Sequence, residues 1–87
     1  MSELIMEQSL EMRVKSILTE ITKIGTPETI KNEASLINDF GMDSVQILSL
    51  ISRLEEEFGI TFKDRDLSID VFGTVATLIE FVGKYVN

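Results

Sequence analysis

The sequence predicts an all-α fold: a small bundle of three principal helices plus one short helix, with a long loop after the first. Three observations carry this. Apolar residues recur at helical spacing in three separate segments. The 87 residues include only one proline, and strong helix formers dominate. The one alternating segment, Ile60-Thr61-Phe62, is three residues long with no evident partner strand, so it reads as an extended loop.

The first helix is expected from Glu3 to Ile24. Leu10, Val14, Ile17, Ile21 and Ile24 mark one face, with Leu18 beside them, and Glu11, Arg13, Lys15, Ser16 and Glu20 fill the other. Gly25-Thr26-Pro27 should end it, because Gly favours a helix C-terminus and Pro cannot continue one. Residues 26–42 then form a long connection with room for one helical turn. Ile30, Leu36, Ile37 and Phe40 are its apolar anchors. A connection of that length in so small a domain is either functional or packed down, and the anchors favour packing.

The second helix should run from Asp43 to Phe58-Gly59. Asp43 is a good N-cap, and Gln46 stands at capping-box spacing. Ile47, Leu50, Ile51, Leu54 and Phe58 form its core face, which leaves Val45, Leu48 and Ser52 on a different face near the helix start. Leu67, Ile69, Val71 and Phe72 suggest the short helix. Thr74 then caps a last helix whose Val75, Leu78, Ile79, Val82 and Val86 repeat at helical spacing.

Length and composition bound the function. Residues 1–87 are expected to be one domain. Fifteen acids against eight bases give a net charge of −7, which argues against nucleic acid, whose backbone needs Lys and Arg. The same charge suits basic protein partners. The chain has no Cys and no His, which excludes disulfides, a cysteine nucleophile, thiolate metal sites and the commonest general base. No cluster of acid, base and nucleophile stands out, so an enzyme is not expected. The N-terminal residues lack the basic flank and apolar core of a signal peptide, and no apolar run approaches the ~20 residues of a membrane span. A cytoplasmic monomer is expected. Asp64, Asp66 and Asp70 hint at a calcium loop, but the required Gly falls on Ile69 and the closing Glu on Val75, so an EF-hand is excluded.

Chemistry concentrates at Asp39-Phe40-Gly41-Met42-Asp43-Ser44-Val45. Ser44 falls in the first turn of a helix, where backbone donors are unpaired and the dipole is positive, a natural anion site. Gly41 permits a tight backbone approach. The stretch Leu36 to Val45, followed by Leu54-Glu55-Glu56-Glu57-Phe58-Gly59-Ile60 and by Phe72-Gly73-Thr74-Val75, resembles acyl carrier proteins and the wider family of phosphopantetheine-bearing carrier domains. Nearly the whole chain is covered by the resemblance.

That resemblance implies an acyl-carrier-like bundle in which Ser44 is esterified by a 4′-phosphopantetheine arm from coenzyme A. The arm's thiol would hold acyl or aminoacyl groups as thioesters, importing the sulfur the chain lacks. Asp43 would assist the transferase's metal site. Met42, Val45, Leu48, Glu55 and Glu56 would face partner enzymes: a phosphopantetheinyl transferase, an acyl-loading ligase or transferase, and a ketosynthase or other biosynthetic enzyme; a flexible gap-filler is the other reading of Met42. Part of the cargo would sit between helices. The competing reading is an interaction domain that keeps the fold without the arm.

One departure matters. Fatty-acid synthesis carriers typically have Leu after the modified Ser and acids two and five residues beyond it; here these positions are Val45, Gln46 and Ser49. Most of the acidity still lies near the proposed docking region, since Glu33 to Phe58 holds six acids and one base. Charge complementarity sets partner choice and association rate, so the neutral start of this helix points to a dedicated carrier outside housekeeping fatty-acid synthesis.

Overall fold

In the computed structural model the described residues are 9–86, and they contain three α-helices: α1 (Leu10–Thr22), α2 (Ser44–Phe58) and α3 (Val75–Val86). Two 3-10 turns, Asp64–Asp66 and Ile69–Phe72, join α2 to α3. The short helix expected around Leu67 to Phe72 is the second of these 3-10 turns. No strand forms among the described residues, apart from an isolated bridge between Ser35 and Thr74.

α1 begins where Ser9 Oγ accepts the Met12 N–H at 3.1 Å, a standard N-cap. The part of this helix expected at residues 3–8 lies outside the described residues. The helix stops two residues earlier than its periodicity suggests. Lys23 takes a left-handed conformation, φ 61°, and its N–H closes on the Thr19 carbonyl. Ile24 consequently leaves the core face and is 45 % exposed. Lys15, expected on the polar face, is buried: its stem lies along the bundle while Nζ reaches Glu11 at 2.8 Å.

α1 and α2 pack together through Val14, Ile17 and Leu18 on one side and Leu50 and Leu54 on the other, all in one core. The seam is edged by charge. Glu57 accepts from Arg13 at 3.1 Å and from Arg53 at 3.2 Å, and Arg53 also reaches Glu20. The Arg13 guanidinium sits 4.4 Å over the Phe58 ring.

The Arg13 hydrogen bond holds the Glu57 carboxyl below the usual carboxylate range; burial opposes this and Arg53 adds to it. Glu11 is lowered by its bond to Lys15. Both groups bind a proton less readily folded than unfolded. Their contribution to stability is thus complete above the ordinary Glu value of about 4.3 and disappears as pH falls through the lowered folded values. Thermal unfolding followed by circular dichroism should show a midpoint that drops on acidification below about pH 4. Glu57→Gln should flatten that drop.

The loop of residues 23–43 is packed down, as its anchors suggest. Ile30, Leu36 and Phe40 are buried. Ile37 is the exception, at 47 % exposure. The loop also completes the start of α3, because the Val75 and Ala76 N–H groups donate to the carbonyls of Ala34 and Asn32. Those donors have no acceptor within their own helix. Thr74 Oγ1 accepts the Thr77 N–H at 3.2 Å, the expected cap.

Beyond α2 the extended segment buries Phe62 against Phe81 and Tyr85, with ring centroids 5.0 and 4.9 Å apart. Phe81 is a core residue that the helical spacing of α3 did not single out. The Tyr85 hydroxyl donates to Asp66 and accepts the Lys63 N–H, so α3 holds the first 3-10 turn. No helix among the described residues is long and apolar enough to cross a membrane.

Candidate functional site

The segment leading to Ser44 is built as a rigid turn. Asp39 Oδ2 accepts the Ser35 N–H at 2.7 Å, and Ser35 Oγ accepts the Asn38 N–H at 2.9 Å. The Met42 N–H then donates to the Leu36 carbonyl. Gly41 sits between these ties at φ +64° with open space where a Cβ would be. A side chain would meet no steric wall there, so the cost of replacing Gly41 is conformational, about 1–2 kcal/mol for an L-residue in this region. Gly73 has φ −68°. Gly41→Ala should therefore lower stability by about 1 kcal/mol or more and Gly73→Ala by much less, a contrast that denaturant unfolding of the two variants measures.

Met42 takes the second of its two expected roles, the gap-filler. Placed by sequence among the partner-facing residues, it is only 3 % exposed and belongs to the core. Its N–H is tied to the Leu36 carbonyl, and its flexible thioether fills space in the core. That anchor fixes Asp43 and Ser44 on the outside.

Asp43 is the N-cap of α2, with extended backbone and Oδ1 accepting the Gln46 N–H at 2.9 Å. Among the described residues only this half of the capping box forms. Ser44 is the first helical residue; it is exposed, and its hydroxyl makes no hydrogen bond among the described residues. The Ser44 and Val45 N–H groups have no acceptor within the helix. The hydroxyl therefore stands free beside unpaired donors at the positive end of α2.

Ser44 also opens onto an apolar groove of about 530 Å³. Ile37, Ile47, Leu48 and Ile51 line it together with Leu67, Ile69 and Phe72 from the α2–α3 connection. Its polar members are Asp43, Ser44 and Ser68. The sequence places Ile37 among the loop anchors and Ile51 on the core face, and the expected shelter for cargo between helices is not localised by it. The two walls come from segments far apart in the chain, and the sequence reads Ile69 only as part of the short helix.

Val45 and Leu48 lie where expected, 69 % and 64 % exposed beside Ser44. The acids behave differently from expectation. Glu55 is half-buried, and its Oε2 accepts the Phe62 N–H at 2.8 Å, tying the connection back onto α2. Through that oxygen it braces the loop. Glu57 is held by two arginines. Of the three consecutive glutamates, only Glu56 is exposed and without an ion pair among the described residues. No group of three or more His, Cys, Asp or Glu poised to hold a metal occurs among the described residues.

The geometry suits a hydroxyl that is modified by another protein and then accompanied by an apolar shelter. A phosphodiester on Ser44 would meet unpaired N–H groups, and an apolar extension would find the groove at once. The family described as the phosphopantetheine attachment site matches residues 13–82. Among solved structures, this chain is similar to the solution NMR structure of a holo acyl carrier protein from Nitrosomonas europaea. The two are 30 % identical with a TM-score of 0.75, over 90 % of this chain and 95 % of that one.

Proposed function

The chain belongs to the family of acyl carrier proteins and related phosphopantetheine-bearing carriers, and on that premise we propose that Ser44 is the residue that bears the arm. The cofactor is 4′-phosphopantetheine, covalently attached, and carriers of this family are in general not enzymes. The single observation that carries the assignment is the free, exposed Ser44 hydroxyl on the first residue of α2, at the edge of the apolar groove.

When bound, the arm supplies a terminal thiol on which an acyl group is held as a thioester. The chain's own residues do the rest. Asp43 fixes the helix start through Oδ1 and offers its other oxygen to the metal site of the modifying transferase. The Ser44 and Val45 N–H groups receive the negative charge of the phosphodiester. Ile47, Ile51, Leu67 and Phe72 shield the near part of an apolar cargo from water. Gly41 and Met42 hold Ser44 outward. The protein itself supplies no turnover, so it needs no base.

Incubation with coenzyme A and a phosphopantetheinyl transferase tests this by intact mass. A gain of one arm supports it. No gain with several transferases favours the carrier-fold interaction domain instead.

The partners we propose are the transferase, an acyl-loading ligase or transferase, and a ketosynthase or other biosynthetic enzyme of a dedicated pathway. The neutral Gln46 and Ser49 support that choice. Such a carrier works as a cytoplasmic monomer of one domain. Full rescue of a strain lacking its housekeeping carrier would contradict the dedicated role.

A further inference from the structure

Ser44 owes its position to a single turn of chain, residues 35–41, that is closed at both ends. At its start Ser35 Oγ accepts the Asn38 N–H at 2.9 Å, and Asp39 Oδ2 reaches back to the Ser35 N–H at 2.7 Å. The two bonds are reciprocal, as in a capping box, with the acid one residue further along. The Asp39 and Phe40 N–H groups both donate to the Ser35 carbonyl. At its end the Met42 N–H donates to the Leu36 carbonyl, across Gly41 in the left-handed conformation. Helices stop with the same bond pattern. Asp43 and Ser44 follow immediately.

The turn takes its reference from the start of α3. The Leu36 N–H donates to the Gly73 carbonyl, and the Val75 N–H donates to the Ala34 carbonyl. Ser35 stands between these ties, and Asp39 is the side chain that closes the turn onto it. Asp39 is exposed and forms no ion pair among the described residues, and its Oδ2 accepts a backbone donor. A hydrogen bond to a carboxylate is roughly twice as strong as a neutral one. Asp39 does not line the groove beside Ser44; it borders a separate depression with Ile24, Ile30 and Phe40. Its influence on Ser44 therefore passes through the turn.

We propose, building on the carrier reading, that Asp39 is a positioning residue for arm attachment: its bond to the Ser35 N–H locks the turn that sets where the Ser44 hydroxyl stands. In that transfer the Ser44 oxygen bonds to the phosphorus that carries the pantetheine. The pyrophosphate P–O bond of coenzyme A breaks, adenosine bisphosphate leaves, and the hydroxyl proton passes to a base of the transferase. Such a transfer tolerates little misplacement, and a shift of about 1 Å costs about a hundredfold in rate.

Single-turnover arm attachment to the full chain tests this, followed by intact mass at rising transferase concentrations. It separates a maximal rate constant from a half-saturating concentration. Asp39→Ala should lower the maximal rate constant by about tenfold or more and leave the half-saturating concentration within about threefold. Asp39→Asn keeps a side-chain oxygen for the Ser35 N–H and should stay within about threefold of the parent in both. Val14→Ala is the control for general stability. Val14 is a core residue beside Arg13, whose partner Glu57 lies near the opposite end of α2 from Ser44. That variant should lose at least as much thermal midpoint as Asp39→Ala, yet keep the maximal rate constant within about twofold at a temperature where every variant is folded. An unchanged rate constant in Asp39→Ala overturns the inference and leaves the carrier reading intact. An equal loss in Asp39→Asn, or a rise in the half-saturating concentration alone, also overturns it, by giving Asp39 a direct contact with the transferase. A matching loss in Val14→Ala overturns it by reducing the effect to stability. Failure of the parent chain to accept an arm from several transferases overturns the carrier reading and this inference with it.

Discussion

Ser44→Ala is expected to abolish arm attachment completely while leaving the thermal midpoint within about 2–4 °C of the parent. The loss is total because the hydroxyl is the proposed attachment atom and no neighbouring serine reproduces its setting. Ser49 and Ser52 are exposed on the same helix, but their N–H groups lie within the helical ladder and cannot receive a phosphodiester. Ser68 lines the groove, yet it precedes only a short 3-10 turn. Ser35 uses its hydroxyl to brace the loop. Stability is spared because the Ser44 side chain bonds to nothing among the described residues, and exposed substitutions of this kind stay within about 0.5 kcal/mol. That corresponds to a few degrees for a domain of this size. Intact mass after incubation with coenzyme A and transferase reads the first quantity, and a melting curve reads the second. If the Ser44→Ala variant still gains an arm, the site moves to another serine.

Leu54→Ala should damage the fold severely. Leu54 is fully buried where α2 meets α1. Large-to-small changes at such positions cost about 2–5 kcal/mol, combining lost burial with the cavity left behind. A domain of this length holds roughly 4–13 kcal/mol in all, at about 0.05–0.15 kcal/mol per residue. The midpoint of thermal unfolding should fall by about 8 °C or more. Leu48→Ala, on the same helix and 64 % exposed, should change it by less than about 0.5 kcal/mol. Equal effects at the two leucines would contradict the division of α2 into a core face and a docking face.

That division was legible in the sequence because it follows from helical period alone. Leu50 and Leu54 recur on one face, Val45 and Leu48 on another, and Asp43 marks the start by its capping chemistry. Gly41 and Gly59 were legible for the same local reason, since each takes a positive φ where the chain must turn. What the sequence hid depends on contacts between distant segments. Glu55 reads as one more solvated acid until the chain returns and places the Phe62 N–H against it. Met42 reads equally as a partner contact and as a gap-filler, and only the assembled core shows that it is buried. Ile37 reads as a loop anchor and Ile69 as part of the short helix, and the groove they share exists only once the loop and the second 3-10 turn approach α2. The end of α1 was misplaced because Lys23, an ordinary side chain, takes the left-handed conformation that Gly25 is intrinsically better suited to supply.

The fold and the site therefore rest on different kinds of information. Period and capping place Ser44 at an exposed helix start, and tertiary packing supplies the groove beside it. The loop of residues 23–43 links the two. It completes the N-terminus of α3 with its carbonyls and presents Gly41 and Met42 to the start of α2, so a change in the bundle is felt at the site.

The central claim is that the arm is carried by Ser44. Peptide mapping by mass spectrometry, after the full chain has reacted with coenzyme A and a phosphopantetheinyl transferase, tests it most directly. The account predicts a single arm, located by fragmentation on Ser44 alone. An arm on Ser49, Ser52 or Ser68, or none from any of several transferases, would contradict it.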